Sequence, residues 1–273
     1  LRVRDSLNKL TVADHAQMLA QLGLKAVRPG RDPNSADSAR QPNYDELKAN
    51  PYCFYPDPLT AFDGKKIENA RMWNRIRRPE LVKVFEDEVY GRIPDNVPDV
   101  HWRTIKEEKA RLGGVPVVIR QLLGVVDHSA YPEITVEIQA QIVWPDDGRK
   151  NMPVILEFSW MMTDPRHPFG PGKPWQQMVV ERGWAAAQIV PTSVQADGGY
   201  GLREGIIGLC NKGQYRKPTD WGSLRAWGWG ASEMIDYFGT EDLFDATKVA
   251  VEGVSRYGKA ALVAMAFDER IAA

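Results

Sequence analysis

The sequence predicts an α/β fold in which a mostly parallel sheet with an antiparallel start lies between layers of helices. Two long strand-like runs in the middle of the chain, VPVVIRQLLGVV and EITVEIQAQIVW, are joined by a short turn, which indicates an antiparallel pair. From PVILEFSW onward, strand-like and helix-like segments alternate, and such alternation indicates parallel strands with helical crossovers. We therefore expect a three-layer sandwich forming a single domain over residues 1–273, entered through an extended segment over 1–60.

Two helices are predicted before the strands. In TVADHAQMLAQLG, Thr11 has the side chain of an N-cap, and Gly23 follows the last apolar position as a stop signal. The next segment, VRPGRDPNSADSARQPN, is rich in turn formers and is interpreted as a mobile loop. The second helix, RRPELVKVFEDEVYGRIP, has Pro79 in its first turn, brings its apolar residues to one face and ends at Gly91.

The alternating part of the chain predicts a strand in PVILEFSW, a helix in PWQQMVVERG and a strand in WAAAQIV. A long helix in WGSLRAWGWGASEMIDYFG and a strand in KVAVEG follow. Between them, Pro191–Asp220 is interpreted as a loop without secondary structure, placed after the carboxyl end of a parallel strand, where α/β sheets bind ligands. We expect this loop to form a wall of the ligand cleft, with Tyr200, Arg203 and Tyr215 available to sugar rings and hydroxyls.

The last predicted strand leads into G-V-S-R-Y-G. A strand, a glycine turn, a serine and a helix form the nucleophile elbow of α/β-hydrolases, although the second glycine stands one place later here than in G-x-S-x-G. The same residues also fit Ser255 as an ordinary helix N-cap. Arg256 and Lys259 would lie in the first helical turn, where each cation opposes the macrodipole at a cost of roughly 0.3–1 kcal/mol. Either both cations are solvated, or they face an anion such as an oxyanion or an acidic product.

The run G-V-S-R-Y-G-K resembles the G-C-S-R-x-G-K motif of the glucuronoyl esterases, carbohydrate esterase family 15. DWGSLRAWGWGASEMIDYF and the helix beginning RRPEL are similar to regions of the bacterial members. The resemblance implies an α/β-hydrolase that cleaves the ester between 4-O-methyl-glucuronic acid of glucuronoxylan and lignin alcohols through an acyl-enzyme. It implies Ser255 as nucleophile, Arg256 in the oxyanion hole and Lys259 on hydroxyls of the uronic acid. Val254 replaces a disulfide-bonded cysteine of fungal members, which indicates the bacterial type.

The general base is not evident from the sequence. In α/β-hydrolases the acid and the histidine follow the serine, but no histidine follows Ser255 here, so we expect both residues to lie beyond this sequence. His15 and His101 are interpreted as surface residues, His101 in a segment before the strands, and His128 as a turn residue. His167 follows a predicted strand and is the best placed, but that loop usually supplies an oxyanion-hole N–H.

Composition narrows the remaining classes of function. A net charge of −1 gives no electrostatic reason to expect nucleic acid or a membrane surface, and no apolar run approaches the roughly 20 residues that span a bilayer. No zinc or nucleotide motif is present, so neither a metal nor a cofactor is implied.

We interpret Trp221, Trp227 and Trp229 as core residues rather than a sugar platform. Cys53 and Cys210 are interpreted as free thiols, although one disulfide is the alternative.

Two other functions stay open at this point. One is an acetyl xylan esterase or general carboxylesterase, which substrate profiling with glucuronate and acetyl esters would distinguish. The other is a non-catalytic carbohydrate-binding relative that keeps the elbow without a triad. We expect a monomer that is secreted or periplasmic, although LRVRDSLNKL lacks the apolar run of a signal peptide.

Overall fold

The computed structural model describes residues 2–48, 55–167 and 172–273, and the chain divides into two compact units, Leu1–Asp57 and Pro58–Ala273. The helices are α1 (Arg2–Gln21), α2 (Ala70–Met72), α3 (Arg78–Phe85), α4 (Trp175–Val180), α5 (Pro191–Val194), α6 (Gly205–Cys210), α7 (Ser223–Gly239) and α8 (Arg256–Phe267). The strands are β1 (Val100–Leu112), β2 (Val115–Val126), β3 (Glu137–Pro145), β4 (Met152–Phe158), β5 (Ala185–Ile189) and β6 (Phe244–Gly253). Within the described residues, no helix is both long enough and apolar enough to span a bilayer.

The first unit contains α1, which begins earlier than predicted. Because the helix already runs from Arg2, Thr11 lies in its middle, and its hydroxyl donates to the Leu7 carbonyl at 3.0 Å. The N-cap prediction for Thr11 is therefore wrong, since a cap must precede the first turn. The predicted stop is confirmed, because Gly23 lies just past the helix with a φ of 67°, the left-handed conformation that ends helices.

The segment over 28–43 forms successive turns. The Asp32 carboxylate accepts from the backbone N–H of Asn34 at 2.9 Å, and the Asp37 carboxylate accepts from that of Ala39 at 2.9 Å. Such Asx turns give the backbone local partners that replace a helix or a strand ladder.

A helical segment that is longer than predicted precedes the sheet. A wide turn over Trp73–Arg77 connects α2 to α3, and a second one over Glu86–Tyr90 extends α3 at its end. Pro79 therefore lies in the first turn of α3 but not at the start of the whole helical segment. The predicted stop at Gly91 is confirmed, with a φ of 76°. A Cβ at Gly91 would lie 2.1 Å from the Asp220 carbonyl oxygen, so this close approach also requires glycine.

The second unit is built on a six-stranded sheet with the order β1-β2-β3-β5-β4-β6. The pairs β1 with β2, β2 with β3 and β3 with β5 are antiparallel, whereas β4 is parallel to both β5 and β6. Helices α5 to α8 contribute to the apolar core on one face, and α4 packs on the other. The predicted antiparallel start, parallel second half and three-layer sandwich are confirmed.

The strand β1 was not predicted, and it corrects the interpretation of His101. That residue lies inside β1, not in a segment before the strands. The strand is rich in charged residues and mostly exposed because it is the edge of the sheet, where charged side chains are favoured. In β3, pairing begins at Glu137, four residues later than the predicted strand.

The segment Pro191–Asp220 is not the structureless loop that was predicted. It contains α5, a short 3₁₀ turn over Gly199–Gly201 and α6. Helix α6 forms because its apolar residues, including Ile206 and Ile207, are fully buried in the core.

The aromatic residues of the α7 region are core residues, as predicted. Trp221 and Trp227 are each 1% exposed and Trp229 is 6% exposed. Cys210 is buried with a free thiol, and burial raises the pKa of that thiol to about 11. Cys53 lies outside the described residues.

Candidate active site

Ser255 occupies a strained turn between β6 and α8. Its φ is 60° and its ψ is −121°, and it is one of three non-glycine residues with a positive φ in the described part of the chain. An N-cap serine has extended backbone angles and accepts from the first helical turn, but Ser255 makes no such side-chain bond and is exposed. The predicted strained strand-to-helix turn is confirmed, and the N-cap alternative is wrong. Holding a serine in this conformation costs about 1–3 kcal/mol.

The two glycines of the motif allow this turn to close. A Cβ at Gly253 would lie 2.6 Å from the carbonyl carbon and oxygen of Tyr257, and a Cβ at Gly258 would lie 2.9 Å from the Gly253 carbonyl oxygen. Both positions therefore need glycine so that the first turn of α8 can approach the end of β6. This contact explains why the second glycine stands one place later than in G-x-S-x-G.

The two predicted cations both lie in the first turn of α8. The guanidinium of Arg256 forms an ion pair with the Asp197 carboxylate, and it lies 5.6 Å from the centre of the Trp160 ring. Lys259 is exposed, and its backbone N–H donates to the Ser255 carbonyl at 3.2 Å. The start of α8 thus presents a helix N-terminus and two cations beside the serine, an arrangement that attracts negative charge.

The loop after β4 brings an aromatic side chain to the turn. Trp160 is exposed, and its ring centre lies 4.3 Å from that of Tyr257, which in turn lies 5.2 Å from the ring of Trp227. The buried Tyr257 therefore connects the exposed indole to the core. Sequence reasoning missed Trp160, although its place at the carboxyl end of a predicted parallel strand was a signal.

The loop after β5 reaches the turn at Asp197, which sequence reasoning also missed. The ion pair of this residue with Arg256 brings this part of Pro191–Asp220 beside the Ser255 turn, and its role as a wall of the ligand cleft stays a prediction. Arg203 lies 4.7 Å from the centre of the Tyr215 ring, and both Tyr200 and Tyr215 are exposed. Contacts of these three side chains with sugars stay a prediction.

A row of polar side chains crosses the sheet on the face that carries α4. The residues of this polar row are register neighbours on successive strands: Lys106, Gln121, Gln141, Gln188, Glu157 and Glu252. The Gln188 amide nitrogen donates to the Glu157 carboxylate at 2.6 Å and to the Thr163 hydroxyl at 3.1 Å. The polar row thus connects the sheet to the loop that carries Trp160.

The two carboxyls of the polar row lie side by side on β4 and β6. Burial raises the pKa of Glu157, although hydrogen bonds led by that from Gln188 oppose the change. Burial also raises the pKa of Glu252, and the neighbouring Glu157 carboxyl raises it further. The fold therefore favours the protonated form of both groups more than water does.

None of the four histidines, all within the described residues, hydrogen-bonds to Ser255. His167 is exposed, and its Nδ1 lies 3.2 Å from the Asp164 carboxylate. His101 lies on β1, the opposite edge of the sheet from β6, and His128 contacts the Val126 carbonyl at 3.4 Å. Among the described residues, no cluster of three or more His, Cys, Asp or Glu side chains could hold a metal ion.

Comparison with known families agrees with this geometry. The family model described as fungal glucuronyl esterase matches residues 130–273, which include β3 to β6 and the Ser255 turn. The chain belongs to the glucuronoyl esterase family. A carbohydrate esterase of an unknown prokaryotic organism is 29% identical over 273 residues, covering 88% of this chain and 62% of that protein. A 4-O-methyl-glucuronoyl methylesterase of Phanerochaete carnosa is 23% identical, covering 80% of this chain and 47% of the relative.

Solved structures of glucuronoyl esterases have the same fold. The enzyme of Teredinibacter turnerae superposes with a TM-score of 0.77 at 35% identity, covering 95% of this chain and 64% of that one. The enzyme of Solibacter usitatus superposes with a TM-score of 0.71 at 28% identity, covering 83% and 64%. The fold is accordingly that of an α/β-hydrolase. The chain spans less than two thirds of the length of these relatives.

Proposed function

We propose that this protein is a serine esterase that hydrolyses esters of 4-O-methyl-glucuronic acid in glucuronoxylan, including esters with lignin alcohols. The observation that carries the proposal is the exposed Ser255 in a left-handed turn before α8, in a chain of the glucuronoyl esterase family. Relatives named 4-O-methyl-glucuronoyl methylesterase support this substrate class.

In the proposed mechanism, the Ser255 hydroxyl oxygen attacks the carbonyl carbon of the uronate ester while its proton passes to a general base. The tetrahedral intermediate collapses, the alcohol leaves with a proton, and an acyl-enzyme remains. Water then attacks the acyl-enzyme, releasing the uronic acid and restoring the serine. The base and its acid partner are not assigned to residues of this chain.

Arg256 is proposed to stabilise the negative charge of the tetrahedral intermediate. One terminal nitrogen of its guanidinium contacts Asp197, and the planar group carries further N–H donors for an oxyanion. Lys259 is proposed to bind hydroxyls of the uronic acid, since it lies exposed on the first turn of α8.

The first test is Ser255→Ala in the natural protein, assayed with a benzyl ester of glucuronic acid and with an aryl acetate. Glucuronate ester hydrolysis should fall by about 10⁴-fold or more, whereas Ser129→Ala, an exposed serine in the turn after β2, should leave it unchanged. Retained activity in Ser255→Ala would overturn the serine mechanism.

Faster hydrolysis of the acetate than of the glucuronate would indicate an acetyl or general carboxylesterase. Sugar binding without any hydrolysis would indicate a carbohydrate-binding protein.

The second test separates the two cations. Arg256→Ala should lower kcat by about 10²–10³, because it removes a donor to the transition state. Lys259→Ala should act mainly on KM, because it removes a contact to the bound sugar. Lys248→Ala, which removes another exposed cation from β6, is the control and should change neither constant. Near-normal kcat in Arg256→Ala would show that the arginine is only a solvated charge.

The proposed substrate is a polymer that does not cross a membrane, so we infer that the protein acts outside the cytoplasm. We also propose that it is a monomer. Cell fractionation should find it in the medium or the periplasm, and light scattering should give a monomer mass. A cytoplasmic protein would contradict the proposed polymer substrate.

A further inference from the structure

Arg256 lies between two loops that come from different strands. The loop after β5 supplies the Asp197 carboxylate, and the loop after β4 supplies the Trp160 ring at 5.6 Å. The arginine side chain is 52% exposed, and an exposed ion pair contributes only about 0–1 kcal/mol. Ordering a long side chain costs up to about 2 kcal/mol, so the ion pair alone does not fix the guanidinium. Its direction therefore depends on how firmly the two loops are held.

A buried amide holds the loop after β5. Gln195 is 0% exposed, and its side chain donates to the Gly201 carbonyl at 2.8 Å and accepts from the Ile207 N–H at 3.0 Å. The backbone carbonyl of Gln195 also accepts from the indole N–H of Trp227 at 2.8 Å. These bonds tie the chain on both sides of Asp197, which lies two residues after Gln195, to α6 and α7.

A second buried amide holds the loop after β4. Gln188 is 2% exposed, and its amide nitrogen donates to the hydroxyls of Ser159 at 3.3 Å and of Thr163 at 3.1 Å. These two residues enclose Trp160 in the sequence. Gln141, the neighbouring residue of the polar row, donates to the Thr163 carbonyl at 2.9 Å and strengthens the same connection.

Both amide side chains are buried, and both make more than one hydrogen bond. A buried amide costs free energy unless its donors and acceptors are satisfied. Gln188 finds partners both in the sheet, at Glu157, and in the loop after β4, whereas Gln195 finds them at Gly201 and at the start of α6. We propose that Gln188 and Gln195 are positioning residues that hold Trp160 and Asp197, and through them aim the Arg256 guanidinium at the oxyanion. This inference rests on the proposed function, since it concerns the oxyanion donor of the same site.

The test uses Gln188→Met and Gln195→Met, which keep the side-chain volume and remove the amide. Each should lower kcat for the benzyl glucuronate ester by about tenfold to a hundredfold with little change in KM, because small displacements of a catalytic group have effects of this size. Each should have no further effect on kcat when Arg256→Ala is already present. The control is Gln177→Met on α4. The Gln177 amide nitrogen donates to the Glu181 carboxylate and makes no other side-chain hydrogen bond with the described residues, so this variant should leave kcat unchanged.

A purely structural role predicts a different pattern. Gln188→Met and Gln195→Met would then lower kcat by the same factor with and without Arg256→Ala, and that result would overturn the positioning role. If either methionine variant unfolds, Asp197→Asn and Trp160→Leu test the same two loops from a half-buried and an exposed position. They should lower kcat only when Arg256 is present, and an equal loss without it overturns the inference. A wild-type protein without Ser255-dependent ester hydrolysis would instead refute the proposed function.

Discussion

The face of the sheet that packs against α7 and α8 and the face that carries α4 contribute different properties. On the first face, alternate residues of β4, including Leu156 and Phe158, are apolar and at most 2% exposed. On the other face, the polar row crosses all six strands in register. Apolar burial provides free energy of folding without direction, whereas hydrogen bonds act at fixed distances and angles. The first face therefore supplies stability, and the polar row supplies the positions of the loops that the strands lead into.

The largest expected effect tests the apolar face. Leu156→Ala should lower the free energy of unfolding by about 2–5 kcal/mol, because Leu156 is 0% exposed and its truncation leaves a cavity. Ile155→Ala is the matched control on the same strand, where the half-buried side chain points to the opposite face. Urea unfolding measures both values. A loss for Ile155→Ala as large as that for Leu156→Ala would contradict the difference between the faces.

The second prediction concerns a carboxyl on α7, the helix that covers the apolar face. Burial and the neighbouring carboxylates of Asp236 and Asp99 together raise the pKa of Glu233 to about 7, although Arg270 opposes them. Between its ordinary value of 4.5 and about 7, the folded state binds a proton that the unfolded state has lost. The free energy of unfolding should therefore fall as the pH rises through this window, by at most about 3 kcal/mol.

The variant Glu233→Gln should remove this dependence. It should be more stable than the wild type at pH 8 and equally stable at pH 4, as measured by urea unfolding at both values. Glu137→Gln, at a more exposed position on β3, is the control and should keep the wild-type profile. An unchanged pH profile in Glu233→Gln would show that this carboxyl is ionised in the fold as it is in water.

The third prediction concerns the point where the apolar face meets the candidate site. Gly253→Ala should destabilise the protein by about 1–3 kcal/mol and lower kcat, because its Cβ would lie 2.6 Å from the Tyr257 carbonyl group and displace the turn that holds Ser255. Gly239→Ala, at the end of α7, is the control, since its Cβ would meet the Ala246 methyl at an ordinary 3.8 Å. Full activity in Gly253→Ala would contradict the requirement for this close approach.

The sequence predicts most of the fold because its apolar patterns are local. The strands β2, β4, β5 and β6 follow from runs of apolar and β-branched residues. By contrast, β1 was missed because an edge strand exposes charged residues and has no clear apolar alternation. Helix α6 was missed because six residues are too few to show a repeating helical pattern of apolar positions. The segment is helical only because its side chains are buried in the core.

The candidate site follows the same division between local and distant information. Ser255 was predictable because its turn needs glycines that lie close to it in the sequence. The partners of Arg256 were not predictable, because Asp197 is 59 residues away and Trp160 lies in the loop after a different strand. Their meeting depends on β4 lying between β5 and β6, which no local pattern specifies.

The smallest expected effect tests the polar row at Glu157. Burial raises the pKa of this carboxyl, so the folded state should lose stability as the pH rises from the ordinary carboxyl range through the raised value. Glu157→Gln removes the charge, and its side-chain oxygen still accepts from the Gln188 amide, which donates to Glu157 at 2.6 Å. The variant should therefore equal the wild type at pH 4 and exceed it at pH 8, and kcat should change little because Gln188 keeps its contacts with the loop.

Glu252→Gln provides the matched comparison for Glu157→Gln. The two carboxyls are neighbours across β4 and β6, and each ionised group disfavours ionisation of the other. Removing either charge should lower the pKa of the remaining carboxyl, so the double variant should gain less stability at pH 8 than the sum of the single variants. Urea unfolding of the four proteins at pH 4 and pH 8 measures this coupling. If Glu157→Gln instead loses stability at pH 8, the ionised carboxylate is a net favourable acceptor for Gln188, and the polar row stabilises the fold in addition to positioning the loop.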